Sequence, residues 1–195
     1  MSLAQRWADD WPDHPEVGRR LLGLWGEPWR CYHGPQHLAE ALAAGDRLGC
    51  TRTERLALWF HDAVHRNRPG ADERASSELA LSWLPAAGWP RAEAAEAARL
   101  VALTEHHRPP PGDGPGARVC DADLAVLGAP PQRYRESVAQ LRAEQPGVDD
   151  ARWHRMRLAV VERLLDTHHY ATGAGRRLWG AQARINLCDE LSVLR

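Results

Sequence analysis

The feature that most limits how this chain can fold is a histidine–aspartate pair, His61-Asp62, set inside the apolar run Leu56-Ala57-Leu58-Trp59-Phe60-His61-Asp62-Ala63-Val64. Unpaired ionised groups are expensive in an apolar interior, so a buried imidazole and carboxylate pair with partners or bind a metal. A fold that buries this run must bring further polar groups to it from distant chain. Two segments offer them: Tyr32-His33-Gly34-Pro35-Gln36-His37-Leu38 upstream, and Val119-Cys120-Asp121-Ala122-Asp123-Leu124 downstream.

The surrounding composition favours helices. Ile occurs once, Val and Thr are sparse, and Ala, Leu, Arg and Glu dominate. Apolar residues recur at i, i+3, i+4 and i+7, as in Leu38, Ala41, Leu42 and Gly45. The pattern predicts helices over residues 16–25, 35–48, 53–65, 73–84, 91–106, 121–127, 131–144, 149–168 and 176–194. Breakers separate them at Gly49, Pro69-Gly70, Gly88-Trp89-Pro90 and Pro146-Gly147. The Pro/Gly-rich stretch 109–116 reads as a surface loop joining two helices that face the site. There is no internal repeat, and 195 residues suit one domain. The expectation is a single all-α domain over 1–195, with a core at about 30–130 and C-terminal helices 131–195 packed on it.

Charge narrows the partners. The formal net charge is -1, and all 25 basic residues are Arg, spread along the chain rather than clustered. No nucleic-acid polymer is expected as a partner. No apolar stretch reaches bilayer length, and the first residues lack the apolar core of a signal peptide, so no membrane partner is expected. Cys31, Cys50, Cys120 and Cys188 are too far apart for a zinc clip and read as reduced thiols of a cytoplasmic protein. The nine Trp residues are too dispersed for a base-stacking platform and read as core. The oligomeric state is left open.

Neighbouring residues on a helix diverge by about 100°, so His61 and Asp62 share a cation only if it sits just off the helix surface. Opposing helices must then add ligands. His37 opens a predicted helix behind Pro35-Gln36, and Asp121 or Asp123 lies at the start of another. Imidazole and carboxylate donors without thiolate suit a divalent Mn, Fe, Co, Ni, Zn or Mg ion. Four ligands from three segments leave room for a water, which points to a metal-dependent hydrolase. Asp62 would hold the metal and accept the water's proton. His33, Glu73 and His107 are further catalytic candidates, and His33, His65, Arg66 and His106 are candidates for the substrate side. The bland alternatives are a capping role for His33, a helix-start acid at Glu73, and helix ends at His106-His107 and His168-His169.

The order His37, His61-Asp62, Asp123 resembles the HD superfamily of metal-dependent phosphohydrolases. More narrowly, Tyr32-His33-x-x-x-His37, Leu58-x-Phe60-His61-Asp62-x-Val64 and Asp121-Ala122-Asp123-Leu124-Ala125-x-Leu127-Gly128 are similar to a bacterial branch of predicted HD hydrolases. The likeness runs to Ala183-Arg184-x-Asn186-Leu187-x-x-Glu190-Leu191. It implies an HD-type helical bundle, a divalent cation, and hydrolysis of a small phosphorylated substrate, a phosphate ester or nucleotide. It also implies Asp123 as the fourth ligand, with His37, His61 and Asp62, leaving Asp121 as an N-cap or outer acceptor. Three departures touch the substrate pocket: His65 stands where relatives usually carry Tyr, Ala71-Asp72-Glu73 replaces an Asn-Glu step, and Gln145 replaces an aromatic. The Glu-Asp pair of alarmone hydrolases is absent after His61-Asp62, which disfavours (p)ppGpp. Two rivals remain. One is an HD-type di-iron oxygenase using His65, His106 or His107; the other is a non-catalytic metal-binding helical module.

Overall fold

Every element of regular structure in the computed structural model is a helix, among the residues described, 1–166 and 169–195. In chain order these are α1 (Leu3–Asp10), α2 (Pro15–Trp25), α3 (Pro35–Leu48), α4 (Arg52–Phe60), α5 (Ala71–Ala86), α6 (Arg91–Leu103) and α7 (Gly114–Asp123). A 3-10 turn (Leu124–Gly128) leads to α8 (Pro131–Ala143), α9 (Asp150–Asp166), the short α10 (Gly173–Gly175), a π turn (Arg176–Gly180) and α11 (Ala181–Leu194). The chain is an all-α single domain, as its composition leads one to expect.

Local chemistry sets the ends that matter. At α4 the Thr51 hydroxyl accepts the Glu54 N–H, and the Glu54 carboxylate accepts the Thr51 N–H. This reciprocal pair satisfies two donors that a helix start would otherwise leave open. At α3, Pro35 occupies the first turn and Gly49 ends the helix at φ +71°.

Three boundaries differ from expectation. Residues 109–116 are not wholly a loop, because Asp113 accepts the Gly116 N–H and, with Pro115, opens α7. That helix therefore ends at Asp123 instead of beginning near it. Helices α4 and α6 stop at Phe60 and Leu103, short of the expected 65 and 106. Helix α1 is not expected at all; Ser2 caps its start by accepting the Gln5 N–H, and Trp7 is its buried residue. Residues 167 and 168, the end of the expected helix 149–168, lie outside the described residues.

Helix α4 is the axis of the core. Leu56, Ala57, Leu58, Trp59 and Phe60 are all fully buried, so it presents no solvent face at its C-terminal end. Burying each such Leu or Phe stabilises the fold by about 1.5–3 kcal/mol. Around it pack α3, α6 and α7, with α5 paired to α6. Gly45 of α3 lets the two helices close: a Cβ there would meet Leu58 Cδ1 at 2.9 Å. The Trp7 ring lies edge-on to Trp59 at 5.1 Å, and Trp25 Nε1 donates to the Trp59 carbonyl at 2.9 Å. Helices α9 and α11 pair with each other, and α11 docks on the 3-10 turn, where Asn186 donates to the carbonyls of Leu127 and Ala129.

Candidate metal centre

Because α4 ends at Phe60, His61 caps it and Asp62 lies in the turn beyond. His61 Nδ1 lies 2.7 Å from the Leu58 carbonyl, so that nitrogen carries the proton and Nε2 faces inward. His37, in the first turn of α3, stacks on the Tyr32 ring at 4.7 Å. Asp123 closes α7.

Three donor groups meet, those of His37, His61 and Asp123, and the Asp62 carboxylate adjoins both imidazoles. His37 Nε2 lies 3.1 Å from His61 Nε2 and 3.0 Å from Asp123 Oδ1. His61 Nε2 lies 3.1 Å from Asp62 Oδ2 and 3.4 Å from Asp123 Oδ1, and His37 reaches Asp62 Oδ2 at 3.6 Å. Metal–ligand bonds of about 2.1 Å place neighbouring donors about 3.0 Å apart in an octahedron and about 3.4 Å apart in a tetrahedron. The observed spacings match the edges of such a polyhedron. Two ring nitrogens face each other at hydrogen-bond distance inside an acid-rich cage, a donor set that fits a divalent cation.

Electrostatics agree. Burial alone would push the His61 imidazole down, but the carboxylates of Asp62 and Asp123 hold it well above the usual histidine range. Burial would raise Asp62 and Asp123, yet the His61 charge and the imidazole hydrogen bonds hold both well below the usual carboxylate range. Without a cation, a proton on His61 offsets part of the charge of the two acids; a divalent ion would displace it.

Other residues hold the ligands in place. His107 Nε2 binds the second oxygen of Asp123 at 2.8 Å, which orients the carboxylate. His107 adopts φ +52°, a left-handed conformation uncommon for non-glycine residues, and its N–H bonds the Leu103 carbonyl at 2.9 Å. The early end of α6 thus aims His107, rather than His106, at the centre. The buried Arg30 donates to the carbonyls of His33, Asp62 and Ala63 at 3.1, 2.6 and 2.9 Å, stapling two ligand-bearing segments together. Asp72 accepts the N–H groups of Arg66 and Arg68, and Ser76 bonds Val64, so α5 fixes the chain after the pair. Glu144 accepts three consecutive N–H groups, from Cys31, Tyr32 and His33, and its other oxygen binds His33 Nδ1 at 2.6 Å. No local pattern marks the site role of Arg30 or Glu144, since Asp62 and Ala63 lie about 30 residues from Arg30 and His33 lies 111 from Glu144.

The remaining candidates separate. His33 and Glu73 line a cavity of about 450 Å³ in whose wall His37, Asp62 and Asp123 sit. One Glu73 oxygen caps α5 through the Gly70 N–H, so it does serve as a helix-start acid. His65 is buried and stacks on His33. Arg66 pairs with Glu27 at 3.0 Å. His106 lines the cavity but is 72% exposed beside Glu105. Asp121 is not a ligand: it is fully buried and accepts the Ala171 and Thr172 N–H groups and the Thr172 hydroxyl. His169 lies on the cavity wall, and His168 falls outside the described residues. No protein-family model, curated protein or solved structure matches the chain. The clustering of His37, His61 and Asp123 thus stands on its own geometry. No helix among the described residues is long and apolar enough to cross a membrane.

Proposed function

We propose that this chain is a metal-dependent hydrolase of the HD type, acting on a small phosphate ester. The observation that carries the reading is the meeting of His37, His61 and Asp123, with Asp62 beside both imidazoles, at a cavity that His37, Asp62 and Asp123 line. A divalent ion held there would supply Lewis acidity and lower the pKa of a coordinated water towards neutral. Asp62, whose side chain is 16% exposed, is the ligand best placed to take a proton from water entering through the cavity. Arg108 on the cavity wall supplies donors for phosphate oxygens, and guanidinium suits them by geometry. Leu124, Leu127, Leu141 and Val160 offer an apolar wall for the organic part of the substrate. The volume suits a small molecule.

The histidines required by the oxygenase alternative are dispersed. His106 is exposed, His65 belongs to a different side-chain group, and His107 binds Asp123 on the oxygen turned from the other ligands. That favours hydrolysis.

The test is metal quantification on protein purified without a chelating tag, followed by a screen of phosphomonoesters and nucleotides. Wild type is expected to hold metal and turn over; His61→Ala loses the metal of this centre and the activity together. Full turnover by a His61→Ala protein that keeps this ion would end the assignment. Metal-loaded wild type with no turnover on the whole panel would favour the non-catalytic module instead.

A further inference from the structure

A second group of metal-binding side chains lies behind His33. Glu144 follows α8, with its side chain 1% exposed. Its Oε1 is occupied by the Cys31, Tyr32 and His33 N–H groups at 2.7, 2.8 and 2.9 Å. Its Oε2 faces two imidazole nitrogens, His33 Nδ1 at 2.6 Å and His65 Nε2 at 3.6 Å. All three donor atoms lie within 4.8 Å of one another.

His65 is the informative member. At 3.6 Å its Nε2 is beyond hydrogen-bond range of the carboxylate. That nitrogen is shut off from solvent and has no other hydrogen-bond partner. Folded proteins rarely leave a buried polar atom in this state without an ion or water to satisfy it. Trp29 stacks on the ring at 5.5 Å and His33 at 3.9 Å, which holds its position. The side chain is nine-tenths buried and aimed at the oxygen that His33 also faces.

We propose that His33, His65 and Glu144 form a second divalent-cation site, with His33 Nδ1, His65 Nε2 and Glu144 Oε2 as its ligands. Two imidazoles and one carboxylate make the donor set of open zinc sites, and they suit Zn, Mn, Fe, Co or Ni better than Ca or Mg. Binding needs the His33 proton on Nε2, so that Nδ1 is free to ligate, and gives His65 Nε2 a ligand bond in place of its long approach to Glu144. The remaining coordination positions open on a cavity of about 450 Å³ that His33, His65, Asp62 and Glu144 help to line. The two ligand sets share no residue, so an ion here is not bridged to the first by a common carboxylate. Across this cavity a second positive centre would face the Asp62 side of the first site. That arrangement extends the chemistry of the pocket beyond a one-ion hydrolase and stands without it.

The experiment is a Zn²⁺ and Mn²⁺ titration of chelator-stripped full-length protein, read by equilibrium dialysis and native mass spectrometry. Wild type is expected to bind two ions per chain. His65→Phe keeps the ring stack but removes the donor nitrogen, so it drops to one. Glu144→Gln keeps an oxygen for the three N–H groups while placing an amide where the ligand oxygen was, and also drops to one. His61→Ala loses the other ion and retains this one, which separates the two sites without any activity measurement. Circular dichroism on each variant checks that the helices persist. One ion per wild-type chain, or two that persist in both folded His65→Phe and Glu144→Gln, overturns the site.

Discussion

Removing the Glu144 side chain tests how far one buried carboxylate holds the site's entry loop. In metal-free protein, Glu144→Ala strips the acceptor from three backbone N–H groups and from His33 Nδ1. The Tyr32 N–H is buried and cannot recruit water freely, whereas Cys31 is exposed and His33 half-buried. Stranding a buried donor costs about 1–3 kcal/mol, and the two wetter ones recover part of their loss. Together with the His33 bond, the expected destabilisation is about 4 kcal/mol, a large share of a typical folding free energy. Glu144→Gln preserves the amide-facing oxygen and should cost only about 1–2 kcal/mol. With a urea slope of about 2 kcal/mol per M, Ala lowers the unfolding midpoint by about 2 M and Gln by less than about 1 M. Tryptophan fluorescence and circular dichroism during urea unfolding read both. Burial pushes the Glu144 carboxyl up, but the His33 and His65 imidazoles and the His33 N–H hold it well below its usual 4.5. A depressed folded value means this stabilisation is complete above about pH 5 and fades as pH falls below 4.5 towards the folded pKa. The gap between wild type and Glu144→Gln should therefore narrow only under acid conditions. An Ala variant that loses less than about 1 kcal/mol, or a Gln variant as unstable as Ala, would refute the reasoning.

The other predictions are simpler. His107→Phe leaves Asp123 Oδ2 without its donor and should weaken metal binding at the first centre about 10–100-fold, measured by competition with a chelating dye. Asp123→Asn should lose that ion, whereas Asp121→Asn should keep it and instead lower thermal stability by loosening the 171–172 turn. Both follow from parallel metal assays and melting curves. Gly128→Ala would drive its new Cβ into the Trp179 backbone, with the carbonyl at 2.6 Å, and should destabilise the α11 docking by at least about 2 kcal/mol in urea unfolding.

Much of the fold is legible in the chain. Scarce β-branched residues, helical apolar spacing and the Pro35 and Gly49 signals place α3 and the start of α4 closely, because these are local energies. The ligand pattern is legible too, since an imidazole and a carboxylate inside Leu56–Val64 require distant partners and few segments offer them. Where α4 and α6 stop was not legible. Propensity favours continuing through His61-Asp62 and through His106, and only the competing bonds of Arg30, Ser76 and Asp123 turn the chain there. Asp121 and Asp123 are equivalent acids until one meets a buried turn and the other the cage. Local sequence governs backbone preference over a few residues. The meeting of His33 with Glu144, 111 positions on, depends on how whole helices pack, and no local term encodes it.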